Sequence, residues 1–298
     1  MTEMLAIDFG GSKVALGIVS AAGDVRERQR FAIDPTMHAQ GVLAQAMTYA
    51  VALLKSDRSI VGVGVASPGV IRDNGISFAP NVPGWESLRL RHLVEEALGR
   101  PTVALNDVRT ATLAEVRWGV LRDVDNGLHV NLGTGLSVGI VLNGHVVAGA
   151  HDAAGEIGCM QLEPGHPAGH RDGTAPLEER YGGRALGRRA SAVFGRSLTA
   201  ADLFAEAKTD VALASFLSDE LRALAMHITN LAIILDPELV SLGGGLMRSG
   251  DLIVPAVRES SDRCVPFPPT VTAAMFADDG ALVGAAAAAF GSLTGGTP

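Results

Sequence analysis

The feature that most constrains this chain is an order of elements that occurs twice, beginning near residue 4 and again near residue 127. Each cycle starts with a strand hairpin and continues to a helix and a buried strand. The segments LAIDFG and VALGIVS form the first predicted hairpin; GLHVNLGTGLSVGIVLNGHVVAG predicts three strands, with Asn143-Gly144 as a hairpin turn. The repeat predicts two similar α/β domains with mixed sheets that face one central cleft.

The segments between the hairpins predict how the chain is divided. We expect a small N-terminal α/β domain over residues 1–117 and a larger C-terminal α/β domain over residues 118–298. Helices are expected at 38–55 and over most of 183–235. The final Ala-rich helix, at about 281–298, is expected to pack back on the N-terminal domain.

Composition excludes several classes of protein. Hydrophobic residues are 47% and charged residues 19% of the 298 residues, which predicts a sizeable core. The formal net charge is -8 and no basic stripe is visible, so nucleic acid is not an expected partner. The longest apolar stretches are too short to span a bilayer, no secretory signal is visible, and two cysteines cannot form a disulfide framework. A cytoplasmic protein without a membrane partner is predicted.

Three glycine-rich turns each follow a predicted strand. Glycine allows positive φ and lets a phosphate approach main-chain N–H groups, and the lysine and two hydroxyls in these turns suit a polyphosphate. Three ordinary tight turns are the alternative, but their matching positions in the two half-chains favour a nucleotide. Neither a P-loop nor a Rossmann fingerprint is present. The residues are Gly10, Gly11, Ser12 and Lys13; Gly133, Thr134 and Gly135; and Gly243, Gly244 and Gly245.

Two aspartates end predicted strands. Asp8 lies beside the first glycine turn, where a carboxylate could hold Mg2+ through water or simply cap the turn. Asn106-Asp107 ends an apolar strand and precedes a helix, which is where α/β proteins place functional residues. Asp107 could accept a hydroxyl proton during phosphoryl transfer, or it could be the N-cap of the following helix. The pattern alone leaves both roles open.

The ordered motifs resemble those of the ROK family of sugar kinases and regulators over nearly the full length. Each motif alone is weak, but the combination in this order is highly specific. The resemblance implies an actin-like (ribonuclease H-like) ATPase fold with two domains and ATP-dependent phosphorylation of a hexose, usually at the 6-hydroxyl. The motifs are IDFGGSK, ASPG, NVPGW, LNDVRTATLAE, NLGTGLSVGIVLNG, GAHDAAGEIG and LVSLGGGL.

The resemblance also implies roles for individual residues. Asp107 matches the catalytic base, and Asn81, Asn106, Glu156 and Glu178 match sugar-contacting positions. Without the resemblance, Glu156 could equally be a solvated loop carboxylate. ATP and Mg2+ are implied, with Mg2+ held by Asp8 through water. The nucleotide-side positions that match are Gly10, Gly11, Ser12, Lys13, Thr134, Gly135 and Gly244. Asp8, Gly133 and Gly245 lie in or beside the same turns and complete the expected cofactor-binding residues.

The chain departs from the family at its zinc site. Typical members continue GEIGH and then CxCGxxGCxE, and the histidine and three cysteines bind a structural zinc. Here Cys159 replaces the histidine, and an ungapped alignment on Glu178 puts Gly169, Arg171 and Pro176 at the cysteine positions. A replacement site of Cys159, His166, His170 and Asp172 has no recognisable spacing. We therefore expect no zinc, and stoichiometric zinc by elemental analysis would contradict this.

Cys159 takes the place of the family's histidine in the sugar pocket, so it joins the expected substrate-binding residues. The zinc-free pattern is similar to kanosamine (3-amino-3-deoxyglucose) kinases, and some N-acetylmannosamine kinases also lack the zinc. The expected acceptor is therefore a glucose-like hexose or an amino-hexose. The alternatives are N-acetylmannosamine kinase and a non-catalytic sugar sensor or regulator on the same scaffold. A homodimer is the expected assembly.

Overall fold

The computed structural model describes residues 2–34, 36–57, 59–77, 83–163 and 169–293. By the density of its internal contacts the chain divides into two compact units. The first unit is Met1–Arg122, Ala148–Ala153 and Asp279–Pro298, and the second is Asp123–Val147 and Ala154–Asp278. Within the described ranges, no helix is both long and apolar enough to span a membrane.

Both units contain a mixed sheet and helices. The strands are β1 (Glu3–Phe9), β2 (Lys13–Ser20), β3 (Val25–Ala32), β4 (Ile60–Ser67), β5 (Val70–Arg72), β6 (Gly75–Ser77), β7 (Thr102–Asn106), β8 (Gly127–Leu132), β9 (Leu136–Leu142), β10 (His145–Val146), β11 (Leu239–Gly243) and β12 (Thr270–Ala273). The helices are α1 (Ala39–Ser56), α2 (Leu90–Leu98), α3 (Asp107–Arg117), α4 (Pro176–Tyr181), α5 (Gly183–Phe194), α6 (Ala200–Glu206), α7 (Val211–Leu235), α8 (Gly250–Cys264) and α9 (Gly280–Leu293).

The two main sheets have the same plan. The first unit has the strand order β3-β2-β1-β4-β7 and the second has β10-β9-β8-β11-β12. In each, a three-stranded antiparallel meander is extended by two strands that run parallel to its first strand. The predicted repeat of mixed sheets is therefore confirmed. It places the strand ends before Gly10 and Gly133 at equivalent points of the two sheets.

The sheet of the first unit is covered on both faces, which explains why β1 is apolar at almost every position. Leu5, Ile7 and Phe9 pack in a cluster with apolar residues of α1 and α2. Met4 and Ala6, on the other face, pack with apolar residues of α9. Helix α9 also packs along α3. Because Asp8 continues the face of Met4 and Ala6, its side chain lies on the side covered by α3 and α9.

In the second unit, His129 of β8 is a buried titratable residue. Its Nδ1 lies 3.3 Å from Ser241 Oγ, and a Cβ added to Gly243 would lie 2.7 Å from its ring. Burial lowers the pKa of His129 from 6.5 to about 4, because the imidazolium form would lose its hydration. His129 is therefore held in the neutral form. It lies beside β11, the strand that leads into the third glycine turn.

We expect His129 to make the fold sensitive to acid. Between pH 6.5 and 4 the unfolded chain takes up a proton at this residue and the folded chain does not. The free energy of unfolding is thus unaffected by His129 above pH 6.5. It falls by up to about 3 kcal/mol as the pH falls towards 4. The free energy of unfolding, measured in urea, should differ less between pH 7.5 and pH 4.5 for His129→Gln than for the wild type. His145→Gln, at an exposed position of the same unit, is the matched control, and equal slopes for His129→Gln and the wild type would contradict the prediction.

Candidate active site

In the first unit, the carboxyl ends of the parallel strands bring the two predicted aspartates to one edge of the sheet. Asp8 pairs in register with Ala66 of β4, and Ala66 pairs with Leu105 of β7. Asp107 follows the end of β7 and is the first residue of α3. The charge of Asp107 is close enough to Asp8 to raise its pKa. Two residues that are 99 positions apart in sequence thus share one electrostatic environment.

Asn106, and not Asp107, is the N-cap of α3. Its Oδ1 accepts hydrogen bonds from the N–H groups of Val108 and Arg109, at 2.9 and 3.2 Å, and its Nδ2 donates to the carbonyl oxygen of Gly69 at 3.2 Å. The alternative that Asp107 is the N-cap is therefore wrong. Asp107 is half-buried, and its Oδ1 accepts from the N–H of Val108 at 2.8 Å. This bond orients the Asp107 carboxylate, while Asn106 serves as the N-cap of the helix.

The pKa of the Asp8 carboxyl group is strongly raised. Burial, and then the nearby charge of Asp107, raise its pKa to about 7, while Lys13 lowers it. Asp279 and Arg30 act in opposite directions on the same group. A buried carboxyl group whose pKa is raised by a nearby second acid is typical of functional sites.

Arg30 and Asp279 were not predicted as site residues. Asp279 Oδ1 accepts from Arg30 Nη2, and its Oδ2 accepts from Arg28 Nη1, both at 2.6 Å. The alternation of arginines along β3 gives the only sequence signal, because it predicts that Arg28 and Arg30 share a face. Nothing in the sequence pairs that face with a residue about 250 positions away.

The first glycine turn connects β1 to β2. Gly10 N–H donates to the carbonyl oxygen of Lys13 at 2.9 Å, which closes the turn. Gly11, Ser12 and Lys13 are exposed. The turn therefore presents a hydroxyl group and an ammonium group beside Asp8, as a phosphate-binding turn requires.

In the second unit, Glu178 of α4 lies against the second glycine turn. Its Oε2 accepts a hydrogen bond from the N–H of Leu136 at 3.0 Å. A Cβ added to Gly135 would overlap this carboxylate, and one added to Gly158 would lie 3.2 Å from Glu178 Cβ. The side chain of Glu178, a predicted sugar-binding residue, is therefore held against the predicted phosphate-binding turn.

Glu156 and Cys159 lie at a short 3-10 turn over Ile157–Cys159. The N–H of Cys159 donates to the carbonyl oxygen of Glu156 at 3.2 Å. Partial burial, and then the charges of Glu156 and Glu178, raise the pKa of the Cys159 thiol. Three predicted substrate-binding residues therefore share one negatively charged neighbourhood in the second unit.

The third glycine turn follows β11. Of the turn glycines predicted to bind nucleotide, only Gly244 adopts a positive φ, of 88°. A Cβ added to Gly244 would lie 2.5 Å from Asn131 Oδ1, so this position also needs glycine for close packing. In the part of the chain that the structure describes, nothing lies within 4 Å of the Cβ position of Gly245. Asn131 was not predicted, and its only sequence signal is its place two residues before Gly133.

Two predicted residues lie outside the described ranges. Asn81 and His166 fall in the segments 78–82 and 164–168, so the structure does not place them. Within the described part of the chain, no group of three or more His, Cys, Asp or Glu side chains could hold a metal ion. The structure therefore tests neither the expected absence of a zinc site around Cys159 nor the predicted sugar contact of Asn81.

Comparison with known proteins identifies relatives over nearly the whole chain. A model of the ROK family matches residues 4–291. The chain is 28% identical to a glucokinase of Halalkalibacterium halodurans, over 86% of this chain and 84% of that protein. It is 29% identical to an N-acetylmannosamine kinase of Vibrio vulnificus, over 95% of this chain and 97% of that protein.

The fold is also similar to that of a solved structure with bound ligands. This is a ROK family glucokinase from Streptomyces griseus in complex with glucose and AMPPNP. The two folds match with a TM-score of 0.82 at 27% sequence identity, over 97% of this chain and 99% of that one.

Proposed function

Because this chain belongs to the ROK family and has its actin-like ATPase fold, we propose that it is an ATP-dependent sugar kinase. It transfers the γ-phosphate of ATP to the 6-hydroxyl of a hexose or amino-hexose. The observation that carries the proposal is Asp107, an oriented, half-buried carboxylate at the carboxyl end of a strand, beside the perturbed carboxyl of Asp8. Carboxylates in such positions serve as bases in phosphoryl transfer.

Asp107 acts as the general base in this mechanism. It accepts the proton of the sugar 6-hydroxyl as that oxygen forms a bond to the γ-phosphorus and the bond to the ADP oxygen breaks. Lys13, Ser12 and the N–H groups of the first glycine turn stabilise phosphate charge. Thr134 and the second and third glycine turns are the proposed nucleotide-binding residues of the second unit.

The residues around Asp8 fit a Mg2+ ion held through water. Burial, and then the charge of Asp107, raise the pKa of Asp8, and a divalent cation would offset the repulsion between the two carboxylates. Carboxylate oxygens are the ligands that Mg2+ uses together with phosphate oxygens and water. When bound, the ion neutralises charge on the phosphates. Asp8 would hold the ion through water.

The neighbourhood of Cys159 supports an amino-hexose, such as kanosamine, or a glucose-like sugar as the acceptor. The charges of Glu156 and Glu178 both act on the Cys159 thiol, so two carboxylates lie close to one small side chain. Paired carboxylates attract an ammonium group, and the small thiol leaves room for a substituent. N-acetylmannosamine is the alternative acceptor. A homodimer is the assembly we expect from the family.

Sugar-dependent ADP release tests the proposed function. Purified protein with MgATP should release ADP with glucose, glucosamine, kanosamine or N-acetylmannosamine, and the product should carry phosphate on O6 by NMR. We expect at least one of the amino sugars to have a kcat/KM at or above that of glucose. ADP release that is equal with and without every sugar would indicate an ATPase. Sugar binding by calorimetry without ADP release would indicate a sensor.

A further inference from the structure

Asn131 occupies the same place in the second sheet that Asp8 occupies in the first. Each is the penultimate residue of the first strand of its sheet and stands two residues before a glycine turn. Asp8 pairs with Ala15 across the hairpin and with Ala66 of the parallel strand. Asn131 pairs in the same way with Ser137 of β9 and with Gly243 of β11. The internal repeat therefore brings a polar side chain to the strand end in both units.

The amide of Asn131 lies between the two glycine turns of the second unit. Its Oδ1 is 2.5 Å from the Cβ position of Gly244, and both Oδ1 and Nδ2 are 3.7 Å from the Cβ position of Gly133. One turn belongs to the β8–β9 hairpin and the other follows β11. A side chain that lies this close to both turns is placed to contact any molecule that both turns bind.

The fold makes little use of this amide. Asn131 is half-buried, and its hydrogen bond among the described residues, from Nδ2 to Ser137 Oγ, is long at 3.4 Å. A weak bond of this length is readily exchanged for one to a ligand oxygen. Unlike Asp8, the neutral amide adds no negative charge to its turns, and its N–H2 group is a donor that suits phosphate oxygens.

We propose that Asn131 is a nucleotide-binding residue, which donates from Nδ2 to a phosphate oxygen of ATP held by the turns at 133–135 and 243–245. The inference rests on the proposed function, because it takes ATP as the molecule that these turns bind. Asn131 would then be the uncharged counterpart, in the second sheet, of Asp8 in the first sheet.

The isosteric variant Asn131→Asp separates a phosphate contact from a packing role. It keeps the shape of the side chain but replaces the donor with a negative charge. Against AMPPNP with excess Mg2+, calorimetry should show about three- to tenfold weaker binding for Asn131→Ala, since one hydrogen bond is lost. Asn131→Asp should bind more than about 30-fold more weakly, because it also repels the phosphates. The KM for the sugar should stay within about twofold in both variants.

The reverse order would overturn the inference. If Asn131→Asp binds AMPPNP like the wild type and Asn131→Ala is the weaker binder, the side chain only supports the turns. Asn230→Asp on α7, which makes the same charge change, is the matched control and should bind AMPPNP normally; thermal unfolding must show all three variants folded. A wild type that binds no AMPPNP would overturn the proposed function itself. Normal binding by the wild type and by Asn131→Asp would overturn the Asn131 contact alone.

Discussion

Asp107→Asn should lower kcat by about 10²- to 10⁴-fold, because the amide cannot accept the proton of the sugar hydroxyl. The side chain keeps its shape, and α3 keeps its N-cap, because Asn106 supplies it. Binding of the sugar and of AMPPNP, measured by calorimetry, should therefore stay within about threefold of the wild type. The loss should appear in kcat, measured as sugar-dependent ADP release, and not in the KM for ATP.

Two further measurements make this result specific. Asp24→Asn changes an exposed aspartate of the same unit, in the β2–β3 turn, and should leave kcat unchanged. The thermal unfolding midpoint of Asp107→Asn should match that of the wild type within a few degrees. Near-normal turnover of Asp107→Asn would show that Asp107 is not the base and would leave Asp8 as the remaining carboxylate of this edge.

Gly284→Ala should be the most destabilising single methyl addition in α9. Helices α3 and α9 pack at Gly284 so closely that a Cβ there would overlap the carbonyl oxygen of Thr110. Backbone atoms cannot move aside as a flexible side chain does, so one helix must shift. We expect a loss of about 3 kcal/mol or more in the free energy of unfolding, measured in urea. Because α3 begins with Asp107, kcat should also fall in the folded fraction.

Gly291→Ala is the matched control in the same helix. Among the described residues, and apart from the neighbouring backbone of the helix itself, no atom lies within 4 Å of the Cβ position of Gly291. Alanine is the better helix former, so this variant should gain about 0.5–1 kcal/mol. Equal stability of Gly284→Ala and Gly291→Ala would show that the close approach of α3 and α9 can relax at little cost.

Much of the fold could be predicted because its signals are local. Alternating and continuous apolar segments predict strands, and Asn143-Gly144 does adopt the positive φ values that the hairpin turn needs. Asp8 and Asp107 could be selected because each ends an apolar strand, where parallel sheets place functional residues. The repeat of the same order of elements predicted two sheets of one plan, which is the plan observed.

Other parts of the site could not be predicted, because they depend on contacts between residues far apart in the chain. The ion pairs of Arg28 and Arg30 with Asp279 span about 250 residues, and no spacing rule relates them. The choice between Asn106 and Asp107 as the N-cap of α3 depends on one residue of register, which adjacent polar residues leave open. Asn131 became a candidate only when β8 and β11 were paired in register.

By itself, the sequence determined the class of the protein: two α/β units with glycine turns after their first strands, acidic residues at strand ends, and membership of the ROK family. The units and their turns follow from backbone preferences and apolar periodicity, which act over a few residues, whereas the family follows from the order of the motifs. The tertiary structure alone decided which charges act on Asp8, which side chain caps α3, and which amide lies between the turns of the second unit. Coulomb interactions and packing depend on distances in space, and only the assembled sheets set those distances.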